Sequence, residues 1–272
     1  MLCVGNIIFA WKYLDESRDM HEAAESKADT TKRARSRDAV LHVVTHSAEP
    51  ASRLIWIYTV GIGAFYGTIQ VVPLLLMDRL GVTAGHIGYF IMYLGGAGVV
   101  VRSLMLGRVL DLLGEARLSR LGIVLLAAGL CCTGVAAHRG IVFLGFTLMP
   151  FGTAFLFPCV TGLLSRVVPG NERGLYMGVQ HTFGGVSRVL FPVAAGVLMD
   201  QFGMGVPFWI AGLLVLATLP FAWALAESLP PESPATLAVR TVSSADVTGE
   251  FPVQPAVQEG SAGESAEPRS TT

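Results

Sequence analysis

The sequence predicts an all-α fold, a polytopic membrane protein built as a bundle of six transmembrane helices. The chain of 272 residues is 52% hydrophobic, and its mean hydropathy is +0.58. Only 14% of its residues are charged, compared with about 25% in soluble domains. Most of the acidic residues and all of the lysines lie near the two ends of the chain, and long apolar blocks fill the sequence between them. These features indicate a chain that folds in a lipid bilayer.

Six apolar blocks are each long enough to cross the hydrocarbon core, which takes roughly 20 helical residues. We expect helices because an open sheet would leave backbone polar groups without partners in lipid. Strand-like alternation of apolar and polar residues is also missing from these blocks. The predicted spans lie at about residues 53–77, 86–107, 119–137, 141–165, 174–199 and 206–226.

The segments outside the spans differ in character. Residues 1–14 are mostly apolar but too short to cross a bilayer. They are either an interfacial segment or the last part of a transmembrane helix, the rest of which is missing. Residues 15–52 mix charges of both signs and are expected to form a solvated loop before the six spans, which occupy residues 53–227. Residues 228–272 are rich in Pro, Ser, Thr and Glu, a composition typical of disorder.

Basic residues predict the orientation of the spans, because cytoplasmic loops collect Lys and Arg. The segment before the first span and the loops after the second and fourth spans hold Lys27, Lys32, Arg33, Arg35, Arg37, Arg108, Arg117, Arg120, Arg166 and Arg173. The opposite loops hold only Arg79 and Arg139. We therefore expect a multi-pass protein of the cell membrane with both termini in the cytoplasm.

Several function classes find no support in the sequence. Cys3, Cys131, Cys132 and Cys159 lie inside apolar runs without paired spacing, so we interpret them as packing residues rather than disulfides or a metal site. The spans contain no Gly-x-Ser-x-Gly, His-Glu-x-x-His or intramembrane Asp pair, so an enzyme is not expected. The net charge of −1 gives no indication of a nucleic-acid partner. We expect neither a metal nor a cofactor.

The connection after the second span carries a glycine and aspartate motif. The stretch "GRVLDLLGEARLSRLG" (107–122) contains Gly107, Asp111, Gly114 and Arg117. Gly114 permits positive φ or a close approach, and Asp111 lies near the N-terminus of the next helix, where negative charge is favoured. Taken alone, this stretch is compatible with an ordinary cytoplasmic turn.

Three further stretches give the turn a context. They are "VVPLLLMDRLGVTAGHIG" (71–88), "PCVTGLLSRVVPGNERGLYMGV" (158–179) and "GGVSRVLFPVAAGVLMDQFG" (184–203). In this order they resemble the C-terminal half of major facilitator superfamily transporters, and most closely the drug:proton antiporters of the tetracycline-resistance type. The turn then resembles the superfamily's G-x-x-x-D-x-x-G loop motif, with Gly107, Asp111, Gly114 and Arg117 at the motif positions. Leu112 stands where that motif prefers a basic residue.

The resemblance also accounts for a repeated phrase. "FAWKYLDES" (9–17) and "FAWALAES" (221–228) each end an apolar run with acidic and polar residues. In the superfamily's twelve-helix fold, the sixth and twelfth helices occupy equivalent positions in two halves related by an axis along the membrane normal. The resemblance therefore implies that the six spans equal the second half of that fold. It also implies that residues 1–14 are the end of a truncated sixth helix and that an N-terminal six-helix half is missing.

Polar groups inside the spans are the candidate site. Arg188 lies midway along the fifth span, where a charge usually faces an interior or a wet cavity. It shares a helical face with His181, Gly184 and Pro192. We interpret Arg188 as a cavity cation for an anionic substrate group or a carboxylate, the alternative being a structural arginine bonded to carbonyls freed by Pro192. His181 is the titratable candidate within a span.

Further candidates follow from helical spacing. In the first span Thr59, Tyr66 and Gln70 form a polar stripe, and the resemblance implies that this helix lines the cavity. Pro150, Pro158 and Pro192 are candidate hinges or tolerated bends. Arg102 is expected to snorkel to the cytoplasmic end of its span.

The function that the sequence predicts is secondary transport by alternating access. The resemblance implies proton-coupled export of a small amphipathic drug or metabolite, with the bilayer, the substrate and protons as partners. Since the spans hold Asp and Glu at their ends alone, we expect the coupling carboxylates in the missing half. The alternative is a non-transporting half-transporter subunit or an inactive truncation product.

Overall fold

A computed structural model describes residues 31–135 and 138–228, with side chains from residue 38 to residue 225. The helices are α1 (Thr31–Thr45), α2 (Pro50–Leu80), α3 (Ala84–Val100), α4 (Leu106–Leu113), α5 (Glu115–Val135), α6 (Arg139–Val167), α7 (Arg173–Phe202), α8 (Val206–Leu216) and α9 (Leu219–Ser228). A π-helical turn, Val101–Met105, joins α3 to α4. These ranges contain no strand, and the predicted all-α class is confirmed. The predicted helix end at 1–14 and the tail from residue 229 lie outside the described residues.

Six helices among the described residues are long and apolar enough to cross a membrane. They are α2, α3 continued by α4, α5, α6, α7, and α8 continued by α9 to Leu225. Each coincides with one of the spans predicted from hydropathy. The second span differs most, because its helix continues to Leu113 instead of ending near residue 107. The chain is a multi-pass membrane protein.

Close packing of α5 against α6 forms the centre of the bundle. Glycines on both helices let the two backbones approach each other, as small residues do in membrane interfaces. A Cβ on Gly152 of α6 would lie 2.5 Å from the backbone nitrogen of Leu126 on α5. A Cβ on Gly122 of α5 would lie 2.7 Å from the backbone nitrogen of Leu156 on α6. Side chains larger than hydrogen would therefore separate these helices.

Helix α2 also packs closely against α7 at glycine residues. Gly63 and Gly67 face Phe191 of α7, and a Cβ on Gly63 would lie 2.6 Å from the Phe191 ring. At its far end α2 stops at Gly81, where φ is 61° and the backbone N–H bonds to the carbonyl of Leu76. That left-handed geometry costs glycine little, so Gly81 turns the chain toward α3.

The six spans differ sharply in burial. More than half of the central part of α2, α5 and α6 is buried, at 56% each, but only 11% of the second span and 17% of α7 is buried. Large apolar side chains are exposed on both of these helices, including Met92, Val99, Val189 and Val193. A polar contact ties each helix to α6: Tyr93 to Thr147 at 2.9 Å, and Gln180 to Thr161 at 3.3 Å. The bundle therefore has three well-packed helices, α2, α5 and α6, and two helices that the rest of the chain buries little, the second span and α7.

The glycine packing leads to a direct test of stability. We expect Gly152→Ala to lower the thermal unfolding temperature of the purified protein in detergent. The new methyl group would clash with the α5 backbone, and such overpacking typically costs about 1–3 kcal/mol. Gly96→Ala is the matched control, because a Cβ on Gly96 meets nothing within 4 Å. Equal unfolding temperatures for the two variants would contradict close α5–α6 packing.

Candidate functional site: a cavity with two arginines

A cavity of about 380 Å³ lies among α2, α3, α6 and α7. Its back wall is formed by residues of α2 and by Pro150, Thr153 and Phe157 of α6. Arg188 lines it from α7, and the second span lines it with Leu94, Gly95, Gly98, Val99 and Arg102. These positions fall near the middle of their helices, so the cavity lies at mid-depth in the bundle. The sparsely buried second span and α7 border it.

Arg188 projects into this cavity and lies over an aromatic ring. Its guanidinium carbon is 4.9 Å from the centroid of the Tyr66 ring, a cation–π arrangement. Within residues 38–135 and 138–225, Arg188 makes no hydrogen bond or ion pair. The structural alternative of an arginine bonded to carbonyls near Pro192 is therefore not what these residues show. Pro192 has no N–H, so it leaves the Arg188 carbonyl without its usual helical donor.

Arg102 lines the same cavity, a position that the interpretation of a snorkelling arginine did not include. The helix continues for about 16 Å beyond it, at 1.5 Å per residue, to Leu113. Arg102 lies in the π-helical turn, where the N–H of Leu106 bonds to the carbonyl of Val101, five residues earlier. Such turns are frequent at functional sites. The turn buries Val101 while Arg102 stays exposed to the cavity.

Tyr58 is held in the wall by neighbours on two helices. Its ring meets the edge of the His181 ring, with centroids 6.1 Å apart, and that of Phe157, with centroids 5.6 Å apart. Gly184 provides the space, because a Cβ there would lie 2.7 Å from the Tyr58 ring. The predicted α7 face of His181, Gly184 and Arg188 thus packs along α2. His181 is exposed beside Tyr58 rather than part of the cavity wall.

The three residues of the polar stripe predicted on α2 lie in three different environments. Tyr66 lines the cavity. Thr59 is buried, and its hydroxyl donates to the carbonyl of Ile55 at 2.6 Å, inside its own helix. Gln70 is exposed but does not line the cavity. Helical spacing places these residues near one face, but the α2–α7 contact at Gly63 and Gly67 covers much of that face. Substrate binding by any of these residues stays a prediction.

The loop motif lies at the junction of α4 and α5, remote from the cavity. Gly114 connects the two helices with φ at 73°, a conformation that favours glycine. Asp111 and Arg117 are exposed, and a Cβ on Gly107 would meet nothing within 4 Å. A gating role for these residues is untested and stays a prediction.

An ion pair next to this motif was not predicted from the sequence. Arg166 of α6 donates to Glu115 of α5 at 2.8 Å, and the Glu115 side chain is only 12% exposed. Glu115 begins α5 and Arg166 lies in the last turn of α6, positions where helix dipoles favour these charges. The placement of each charge at a helix end was readable in the sequence, but their pairing was not.

The candidate hinge prolines lie inside unbroken helices. Helix α6 runs through Pro150 and Pro158, and α7 runs through Pro192. Pro150 lines the cavity, and Thr153 donates to its carbonyl at 3.1 Å. Each proline removes one backbone hydrogen bond. Their function as hinges stays a prediction.

Comparison with known proteins gives consistent findings. A family model described as Major Facilitator Superfamily matches residues 54–258. The chain is 29% identical over 126 residues to the uncharacterized MFS-type transporter Rv1250 of Mycobacterium tuberculosis, a match that covers 44% of this chain and 22% of that protein. It is 29% identical over 175 residues to Multidrug resistance protein 1 of Bacillus subtilis, covering 62% of this chain and 43% of that protein. The chain thus spans less than half the length of these relatives.

A solved structure shares the fold. The crystal structure of the human organic anion transporter MFSD10 (TETRAN) superposes with a TM-score of 0.57 and 20% identity. The match covers 63% of this chain and 40% of that chain. At this level of identity the similarity concerns the fold alone.

The cavity can be tested by cysteine accessibility in a variant without Cys3, Cys131, Cys132 and Cys159. We expect Val99→Cys, in the cavity wall, to react with N-ethylmaleimide at least about tenfold faster than Leu213→Cys on α8. A thiol must ionise to react, and it ionises readily only where water reaches it. The two positions are matched in the isolated chain, at 65% and 60% exposure, and Leu213 is not part of the cavity wall. Equal rates in membranes would indicate that lipid fills the cavity.

Proposed function

The chain belongs to the Major Facilitator Superfamily, and we propose that it forms one six-helix half of a secondary transporter. The predicted resemblance to the superfamily is confirmed, and this family consists of transporters rather than enzymes. The proposed activity is proton-coupled export of a small amphipathic drug or metabolite across the cell membrane. The mechanism is alternating access, in which two halves rock around a site near the bilayer midplane.

The observation that carries this proposal is the position of the two-arginine cavity. Charged side chains at the middle of a membrane are costly, and they usually mark a substrate or ion pathway. Arg188 and Arg102 reach one cavity from two different helices, and aromatic residues surround them. The volume of about 380 Å³ falls in the range of roughly 300–1,000 Å³ for small-molecule sites. The names of relatives such as Multidrug resistance protein 1 support an amphipathic substrate.

A second six-helix half would complete the cavity. The two least buried spans, the second span and α7, border the cavity and expose apolar side chains such as Val99 and Val189. Exposed apolar side chains in such number favour a protein partner or lipid as their neighbour. The two-half architecture of the superfamily favours a partner half at this surface. The coverage of less than half of the relatives is consistent with that arrangement.

Proton coupling needs a titratable group in the pathway. Among the described residues of the spans, the acidic side chains Asp78, Asp111, Glu115 and Asp200 all lie near helix ends. His181, beside Tyr58, is the candidate within this chain. We propose that the coupling carboxylates lie in the other half. The alternative, a half-transporter subunit that does not transport, is supported by the coverage of less than half of the relatives' length.

The test is deletion of the gene in its source organism. We expect deletion to raise the intracellular accumulation of at least one compound in a panel of amphipathic drugs, measured by mass spectrometry. The natural gene should restore low accumulation, and Arg188→Gln should reduce the restored efflux rate at least about tenfold, because it removes a charged contact worth roughly 1.5–3 kcal/mol. Arg79→Gln, at the exposed end of α2, is the matched control.

Proton coupling is tested in the same cells. A protonophore should abolish the difference between the wild-type and the deletion strain. Unchanged accumulation of every compound after deletion would contradict transport and favour the non-transporting subunit. Efflux that persists with the protonophore would contradict proton coupling while leaving transport intact.

The proposed orientation has its own test. We expect Leu112→Cys, in a variant without the natural cysteines, to react with a membrane-impermeant maleimide only in inside-out vesicles. Leu112 is 82% exposed at the junction of α4 and α5, on the side that the basic residues assign to the cytoplasm. His138→Cys, at the start of α6, is the control and should react in intact cells. Labelling of Leu112→Cys in intact cells would reverse the topology.

A further inference from the structure

We propose that this cavity selects organic anions, so that the transported class is an amphipathic carboxylate or sulfonate. Arg188 and Arg102 bind the anionic group, and the aromatic wall binds an apolar ring. This inference rests on the proposed function, because it names the substrate class of the same site. It is more specific than an amphipathic drug or metabolite, since it excludes organic cations as the preferred substrates.

The charge of the cavity is the first argument. Its lining residues include two arginines and no Asp, Glu or Lys. Neither guanidinium forms an ion pair with another residue in the part of the chain that the structure describes. The acidic residues of the same helices are distant: Asp200 lies about 18 Å along α7 from Arg188, at 1.5 Å per residue. Two uncompensated cations in a cleft with low-dielectric walls create a positive potential that attracts anions and repels cations.

The geometry of Arg188 is the second argument. Its guanidinium lies over the Tyr66 ring, with a distance of 4.9 Å from the guanidinium carbon to the ring centroid. A cation–π contact uses no hydrogen bond, so the N–H groups of this guanidinium remain available to donate. Those groups match the two oxygens of a carboxylate in a bidentate arrangement. Tyr66 therefore holds Arg188 in place without neutralising its charge.

The rest of the wall fits an apolar ring. Phe65, Tyr66 and Phe157 supply aromatic surface, and Ile62 and Leu94 supply aliphatic surface. Gly95 and Gly98 of α3 leave space, because a Cβ at either position would meet nothing within 4 Å. A planar ring with one anionic substituent matches this combination of aromatic surface, open space and positive charge.

The main rival is a carboxylate supplied by the second half. Such a group would pair with Arg188, and the completed cavity would no longer favour anions. The two arrangements differ in a measurable way, because anion selectivity must then be lost in the complete assembly. The test therefore includes both the isolated chain and native membranes.

The binding experiment uses the full chain in lipid nanodiscs and three probes that share one ring system. They are 2-naphthoate, 2-naphthamide and 2-naphthylmethylammonium, with charges of −1, 0 and +1. We expect isothermal titration calorimetry to give at least about tenfold tighter binding of naphthoate than of naphthamide, because charge-assisted hydrogen bonds are strong. The ammonium probe should bind weakest. Equal affinities, or a preference for the ammonium, would overturn the proposal.

Variants assign the effect to the two arginines. Arg188→Gln and Arg102→Gln should each reduce naphthoate affinity at least about tenfold and leave naphthamide affinity unchanged, which also shows that the cavity remains folded. Arg188→Lys should retain part of the preference because it keeps the charge. Arg79→Gln controls for nonspecific attraction to surface charge. Loss of naphthoate binding in Arg79→Gln would overturn the assignment to the cavity.

Native membranes distinguish this inference from the proposed function. In inside-out vesicles, export is measured as uptake of a compound that the deletion strain accumulates. Naphthoate should inhibit this gene-dependent uptake at least about tenfold more strongly than naphthylmethylammonium, as expected for one charge-assisted contact. Efflux that is inhibited equally by both probes would overturn anion selectivity and leave the transporter proposal standing. Anion-selective binding without any gene-dependent efflux would support the cavity chemistry and contradict transport.

Discussion

A guanidinium at the middle of a bilayer needs either water or a counter-charge, and much of this structure follows from that requirement. Arg188 lies halfway along α7, with its guanidinium over the face of the Tyr66 ring. A cation–π contact stabilises a cation by roughly 0.5–2 kcal/mol, less than the cost of burying it in hydrocarbon. The remaining stabilisation must come from the cavity itself. An open space that holds water or an anion next to Arg188 is thus a condition for this side chain to lie where it does.

The bundle meets this condition by concentrating its packing on one side. Glycines such as Gly122 and Gly152 bring α5 and α6 into backbone contact, and Gly63 and Gly67 seat Phe191 between α2 and α7. This arrangement forms a rigid wall behind the cavity. The second span contributes the fewest buried residues, so it is the helix best able to move or to accept a partner. Binding sites commonly combine a rigid support with mobile borders in this way.

The sequence alone was sufficient to predict the six spans, because a lipid bilayer allows few alternatives to long apolar helices. Arg188 was also readable, since a charge within an apolar block is conspicuous. The position of Arg102 in the cavity wall was not predicted, because a π-helical turn shifts one backbone hydrogen bond and hydropathy contains no signal for it. The pairing of Glu115 with Arg166, 51 residues apart, depends on which helices become neighbours. Thr59 shows a similar limit, because helical spacing defines a face but not the helix that covers it.

The two arginines also connect substrate binding to movement. Arg102 belongs to the second span and Arg188 to α7, the two sparsely buried helices that border the cavity. A ligand changes a conformational equilibrium only through a difference in its affinity for the two states. An anion that contacts both guanidinium groups binds the two states with different affinities if the helices change their separation. In the state with the larger separation it can contact only one guanidinium group well. A neutral ring held by the α2 and α6 wall alone would lack that difference, since this wall is the rigid part of the bundle. The charge on the substrate would therefore determine both which molecule binds and whether its binding favours one state of the transporter.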